Sequence, residues 1–167
     1  MRLLFFIFIM IIGTSGYSQN TGELDKRNGF KDIKLITDIK SHTGLEYSKD
    51  VKDKPDHAIY KAKKGSYKAI GDVQILKLSV FTYRDLVYKI EVTTGKNEQL
   101  YRSLEKAFGK ITSSIASKNS GWYGEKVSLV YEVEGAKKVK LIYSSKEINR
   151  IIAQDKKKDI DSLSSEF

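Results

Sequence analysis

The sequence predicts an α+β fold, an antiparallel sheet of about five to six strands with helices packed on one face. Three observations carry this. Residues 73–93 and 127–143 alternate apolar and polar side chains with a period of two, the mark of half-buried strands. Each stretch is followed by one with helical spacing, at 97–108 and 144–155, so hairpin–helix occurs twice as a weak pseudo-repeat. The only proline lies in the charged loop 46–56, outside both of these stretches.

The chain opens MRLLFFIFIMIIGTSGYSQN. Arg2 precedes an apolar run, 3–12, that is too short for a membrane-crossing helix of about 20 residues. The charged start, the short apolar core and the small-x-small Gly16-Tyr17-Ser18 make a secretory signal peptide, with cleavage expected after Ser18. An uncleaved signal would leave a membrane anchor instead. The expected organisation is signal peptide 1–18, flexible lead-in 19–28, one α+β domain 29–155 and a polar tail 156–167, with a periplasmic or secreted location and no stable membrane span after cleavage. The remaining length of about 149 residues suits one domain and buries most of its apolar surface without staples. No cysteine is present, which excludes disulfides, thiolate metal sites, a cysteine nucleophile and a lipid-modified N-terminal cysteine.

The elements read in order as follows. Phe30, Ile33 and Leu35 suggest a short strand, Thr37 and Gly44 bracket a brief helix, and 46–56 is a charged loop. Residues 58–64 form a strand candidate. In the 73–93 hairpin, which turns at Arg84-Asp85, Leu78 and Val80 share a face with Val92 and Ile90 only if the loop holds three residues, Arg84 to Leu86, or a bulge intervenes. Leu100, Leu104, Ala107 and Phe108 repeat at helical spacing between an Asn97 cap and a Gly109 stop. In the second hairpin a loop over 135–137 sets Glu132 opposite Lys140 and Glu134 opposite Lys138. Val127, Leu129, Tyr131, Leu141 and Tyr143 then lie on one buried face. Ser144 and Glu147 have capping-box spacing, and Ile148, Ile151 and Ile152 give the last helix its apolar stripe.

Taken together, GFKDIKLITDI, LSVFTYRDLVYKIEV, LYRSLEKAFGK, the Trp122-x-Gly strand entry and LIYSSKEI resemble a loose group of small secreted bacterial domains of unknown function. The resemblance covers about 29–148, most of the chain beyond the signal. Many members carry glycine where this chain has Ile36. The resemblance implies no activity and no cofactor.

The net charge of +9 falls near +8 once Arg2 is removed, and the lysines are scattered rather than blocked. Such a surface attracts polyanions weakly and with salt sensitivity, without specificity for nucleic acid. His42 and His57 lie in no ligand spacing, so no metal site is expected. No G-x-S-x-G and no phosphate-loop fingerprint occurs, and no cofactor is expected. Glu91, Glu132 and Glu134 are the carboxylates that could serve a small envelope hydrolase. Trp122-Tyr123, between Gly121 and Gly124, reads first as the packed end of a strand and second as a stacking surface. The candidate binding residues are Trp122, Tyr123, Tyr83, Tyr88 and Lys89, with Tyr60 and Tyr67 expected on the same sheet. The leading reading is a non-enzymatic exported module of the bacterial envelope that binds an unknown protein or envelope polymer through its open sheet. Sequencing the N-terminus of the protein recovered from cell fractions should give Gln19; an intact Met1 on soluble cytosolic protein would refute the signal peptide.

Overall fold

The structure, a computed structural model, describes residues 19–113 and 120–167. Residues 1–18, where a signal peptide is expected, and most of the connection after Ile111 lie outside the described residues. The elements are α1 (Thr21–Arg27), β1 (Gly29–Phe30), β2 (Ile33–Lys34), a 3-10 turn (Ile39–Ser41), β3 (Leu45–Asp50), β4 (His57–Ala62), β5 (Ala69–Ile70), β6 (Val73–Tyr83), β7 (Leu86–Gly95), α2 (Glu98–Phe108), β8 (Thr112–Ser113), β9 (Ser120–Tyr123), β10 (Val127–Glu134), β11 (Lys138–Ser145) and α3 (Lys146–Ser164). The fold is α+β, and its sheet is antiparallel throughout, in the order β3-β4-β6-β7-β11-β10-β9-β8, with β5 also paired to β6. That is more strands than the five to six expected. The surplus comes from short pieces whose alternation is too brief to register as a period, and from β3, which lies in the charged stretch 46–56.

The second hairpin has the register its charges imply: Glu132 faces Lys140 and Glu134 faces Lys138. The first solves its parity problem by the bulge. Arg84 and Asp85 both adopt positive φ (49° and 63°), as a two-residue primed turn requires, and the extra residue Tyr88 shifts the register between Phe81 and Thr82. Leu78 therefore faces Val92, and Val80 faces Ile90. The two hairpins join through β7 and β11, Leu141 opposite Val92 and Tyr143 opposite Ile90.

One face of this sheet carries the core. Val80, Ile90, Val92, Leu129 and Leu141 pack with Leu24 of α1, Phe30 and Ile33 of the β1–β2 hairpin, and Leu100, Leu104 and Phe108 of α2. Asn97 caps α2 by accepting the Leu100 N–H at 2.8 Å, as its sequence requires. Trp122 is fully buried against Phe108 (5.9 Å between ring centroids), and its indole N–H donates to the Gly109 carbonyl at 2.7 Å. It locks the C-terminal end of α2 to β9.

Three expectations need correction. The lead-in 19–28 carries a helix: α1 occupies 21–27 with Leu24 fully buried, and Gln19 donates to Thr112 Oγ1 (2.7 Å) and to the Gly121 carbonyl (3.0 Å). The tail beyond 155 is helical to Ser164, and α3 is capped by Ser145, one residue later than the capping-box spacing implied. Nor do all helices share one face. Tyr83, to which α3 is bonded, has the opposite strand parity from Val80 and Thr82.

α1 is fixed by Asp25. The backbone N–H groups of Glu125, Lys126 and Val127 donate to its carboxylate at 2.8, 3.0 and 2.9 Å. Gly124 is required beside it, because a Cβ there would strike that carboxylate. Burial works against the Asp25 charge, but the three N–H donors and then Lys146 outweigh it and hold the carboxyl below its ordinary pKa. A depressed value means the stabilisation is full above the unfolded carboxyl pKa near 4 and is lost as pH falls through the folded value. Asp25→Ala should lower unfolding stability by about 1–2 kcal/mol at neutral pH, with the difference from wild type shrinking in acid. Denaturant titrations at neutral and acid pH check both.

Candidate functional site

The other face of the sheet presents Lys77, Ser79, Phe81 and Tyr83 from β6, Lys89, Glu91 and Thr93 from β7, Lys138 and Lys140 from β11, and Glu132 and Glu134 from β10. It divides into an aromatic corner and a charged cleft.

The bulge makes the corner. It turns Tyr88 toward Phe81 (6.4 Å between centroids) and toward His57 of β4 (5.5 Å), while His57 lies 4.9 Å from Tyr83. Lys89 sets its ammonium 3.7 Å over the Phe81 ring and 2.8 Å from Glu91 Oε1. Tyr83 is buried, and its phenol donates to Asp155 Oδ2 of α3 at 2.8 Å; Arg84 pairs with the same oxygen at 3.2 Å. Burial, then the Asp155 bond, raises the Tyr83 pKa, and burial, then Glu91, raises that of Tyr88. His57 Nδ1 is buried with no hydrogen-bond partner among the described residues, and burial followed by Lys54 lowers the imidazole pKa.

Of the candidate residues, Tyr83, Tyr88 and Lys89 come together. Trp122 is a correction: it is sealed in the core and cannot stack on a ligand. Tyr123 is half-buried on β9, its N–H bound by the Gln19 side chain, and is not part of the corner. Tyr60 packs against the core from the inner face and Tyr67 donates to Asp32, so neither joins it. His57 and Phe81 are the members that sequence reading missed. Only a register including the bulge would have placed them beside Tyr88.

A cleft of about 360 Å³ lies between Lys77, Glu91, Glu134, Lys138 and Lys140. Lys140 pairs with Glu134 and, at 3.6 Å, with Glu132; Glu134 first, then the other two glutamates, raise its pKa against burial. Glu91 is held by Lys89, so each carboxylate suited to hydrolysis is tied to a lysine. A second cleft of about 580 Å³ includes Lys61, Lys68, Asp72 and Lys77 and meets the first at Leu76 and Lys77. Lys68, Lys77 and Lys138 make no ion pair among the described residues. His42 is buried and bonded to Thr37 Oγ1 at 2.8 Å, and no metal-binding group of His, Asp or Glu forms among the described residues. None of the described helices is long and apolar enough to cross a membrane.

The corner is tied to α3 through Asp155, whose pKa is lowered by the Tyr83 bond first and by Arg84 and Lys158 against burial. The tie is present above the unfolded carboxyl pKa and is lost as pH falls through the folded value. Asp155→Asn should therefore accelerate amide exchange in the second half of α3 and leave β6 and β7 protected, which hydrogen-exchange mass spectrometry resolves. No protein-family model matches this chain, and comparison with curated proteins and with solved structures gives no significant match.

Proposed function

We propose that this chain is a non-enzymatic exported binding module of the bacterial envelope that holds an anionic envelope polymer across the outer face of its sheet. The observation that carries this reading is the pair of clefts meeting at Leu76 and Lys77, with Lys68, Lys77 and Lys138 free of ion pairs among the described residues. An extended polymer bearing carboxylates or phosphates meets that row of cations without having to displace a protein partner. The aromatic corner at the far end offers the half-buried ring of Tyr88, against which a sugar ring can pack. Export follows from the N-terminal pattern of Arg2, the apolar run and Ser18.

A small envelope hydrolase is the second reading, favoured by one observation: Glu91 and Glu134 line the same cleft. Lysine pairing of both carboxylates weighs against it.

The test is a titration of the purified protein with an acidic polysaccharide at low and physiological ionic strength. Binding should weaken steeply with salt, and the variant K68Q/K77Q/K138Q should bind far more weakly, its salt slope reduced by roughly two to three units. Single-stranded DNA of similar charge should compete without sequence preference. Unchanged binding by the triple variant would overturn the assignment of the face, and cleavage of the polymer that E91Q/E134Q abolishes would replace it with the hydrolase.

A further inference from the structure

A different cleft, of about 510 Å³, opens on the helix side of the molecule, between α2, the β1–β2 hairpin and β11. Its walls are apolar and belong to the core: Phe30, Leu104, Phe108 and Leu141 all line it. Tyr143 also lines it. That residue is only 5% exposed, with its ring 6.0 Å from Phe30. Its phenol makes no hydrogen bond among the described residues. A nearly buried tyrosine at the wall of the cleft thus keeps an unused donor, in surroundings where such a group is normally satisfied.

The rim is cationic. Arg27 stacks over Phe108 at 5.3 Å and pairs with Glu23 at 2.8 Å. Its charge reaches the Tyr143 phenol, whose pKa burial raises and Arg27 pulls down. The Lys31 ammonium is held by the Ala69 carbonyl at 2.6 Å and lies 5.8 Å from the centre of the Phe30 ring, the Lys34 ammonium is held by the Arg27 carbonyl at 2.8 Å, and neither has a carboxylate partner among the described residues. Among the described residues Glu23 is the only carboxylate in the lining against these three cations. An apolar floor, one free donor and a rim of excess positive charge are complementary to a single chemistry, and the volume lies in the range of small-molecule sites.

We infer that this cleft binds a small amphiphilic carboxylate, its apolar body against Phe30, Leu104 and Phe108 and its carboxylate held by the Tyr143 phenol and the Arg27, Lys31 and Lys34 cations. The site is separate from the outer face and stands whether or not that face binds a polymer. Two sources share the chemistry, a straight acyl chain and an aromatic acid.

The chain supplies its own reporter: its single tryptophan, Trp122, packs on Phe108, which lines the cleft. The purified protein is titrated below the micelle threshold with decanoate, with naphthoate, with decanol and with decyltrimethylammonium, and followed by tryptophan fluorescence and calorimetry. Saturable one-to-one binding is expected for at least one of the two acids, and the tighter of them identifies the source. Decanol should bind at least tenfold more weakly than decanoate, or than the aromatic acid if that is the tighter, and the cation not at all. Tyr143→Phe, which keeps the ring and the packing, should weaken acid binding about tenfold, the loss of a charge-assisted hydrogen bond. K31Q/K34Q should weaken the acids and leave decanol unchanged, while K68Q/K77Q/K138Q should change none of the titrations. Equal affinities for acid and alcohol, no saturable binding of either acid, or acid binding indifferent to both Tyr143→Phe and K31Q/K34Q would overturn the inference.

Discussion

The carboxylate of Asp25 is the joint on which the arrangement depends. Three consecutive backbone N–H groups, those of Glu125, Lys126 and Val127, converge on one side chain from a helix about a hundred residues earlier in the chain. Consecutive amides that point the same way form an anion-binding hollow, and here the anion is supplied from within. The hollow fixes the turn between β9 and β10, and that turn sets where Trp122 enters the core. Trp122 in turn holds the end of α2 through the Gly109 carbonyl. One charged contact thus connects the first helix, the edge of the sheet and the second helix, and the requirement for glycine at 124 follows from how closely Asp25 approaches.

The two faces of the sheet obey different rules. The inner face is filled with aliphatic and aromatic side chains, because helices and the β1–β2 hairpin cover it. The outer face has no such cover over its centre and carries alternating lysine and glutamate, arranged so that most charges are neutralised by a neighbour on the next strand or two residues along. Cross-strand pairs of this kind contribute modestly to stability, and they leave the face polar without making it strongly charged. Net positive character survives only where pairing stops, toward the β5–β6 end, which gives a scattered basic composition a direction.

What could be read from residues alone followed from periodicity. The β10–β11 register was readable to the residue because alternation and cross-strand charge agreed on one answer, and α2 because cap, stripe and stop all pointed to the same boundaries. α1 was hidden: TGELDKR carries a single apolar residue, Leu24, so it has no stripe to detect, and its place comes from Asp25 and Gln19 meeting partners far along the chain. β3 was hidden for the opposite reason, since an edge strand with five exposed residues has no buried face and reads as a charged loop. The candidate site divided along the same line. Tyr83, Tyr88 and Lys89 lie on the long hairpin whose pattern was plain, but the bulge that gathers them with His57 and Phe81 is a tertiary choice. Trp122 was ambiguous because an aromatic at a strand entry looks alike whether it faces solvent or core. Ile36 adds a further case: its φ of 65° is costly for a β-branched residue, and glycine would hold that conformation without strain.

The long reach of Asp25 also governs when the molecule can fold. The first helix has nearby partners only at its C-terminal end, where Arg27 and Asn28 bond to Lys34 and Leu35, and it docks on a turn that is synthesised about a hundred residues later. The central pairing of β7 with β11 likewise waits for residues beyond 138. Contacts so distant in sequence close slowly, because the intervening chain must lose its freedom before they are rewarded. During synthesis α1 and the free edge of β7 therefore wait for their partners until most of the protein exists.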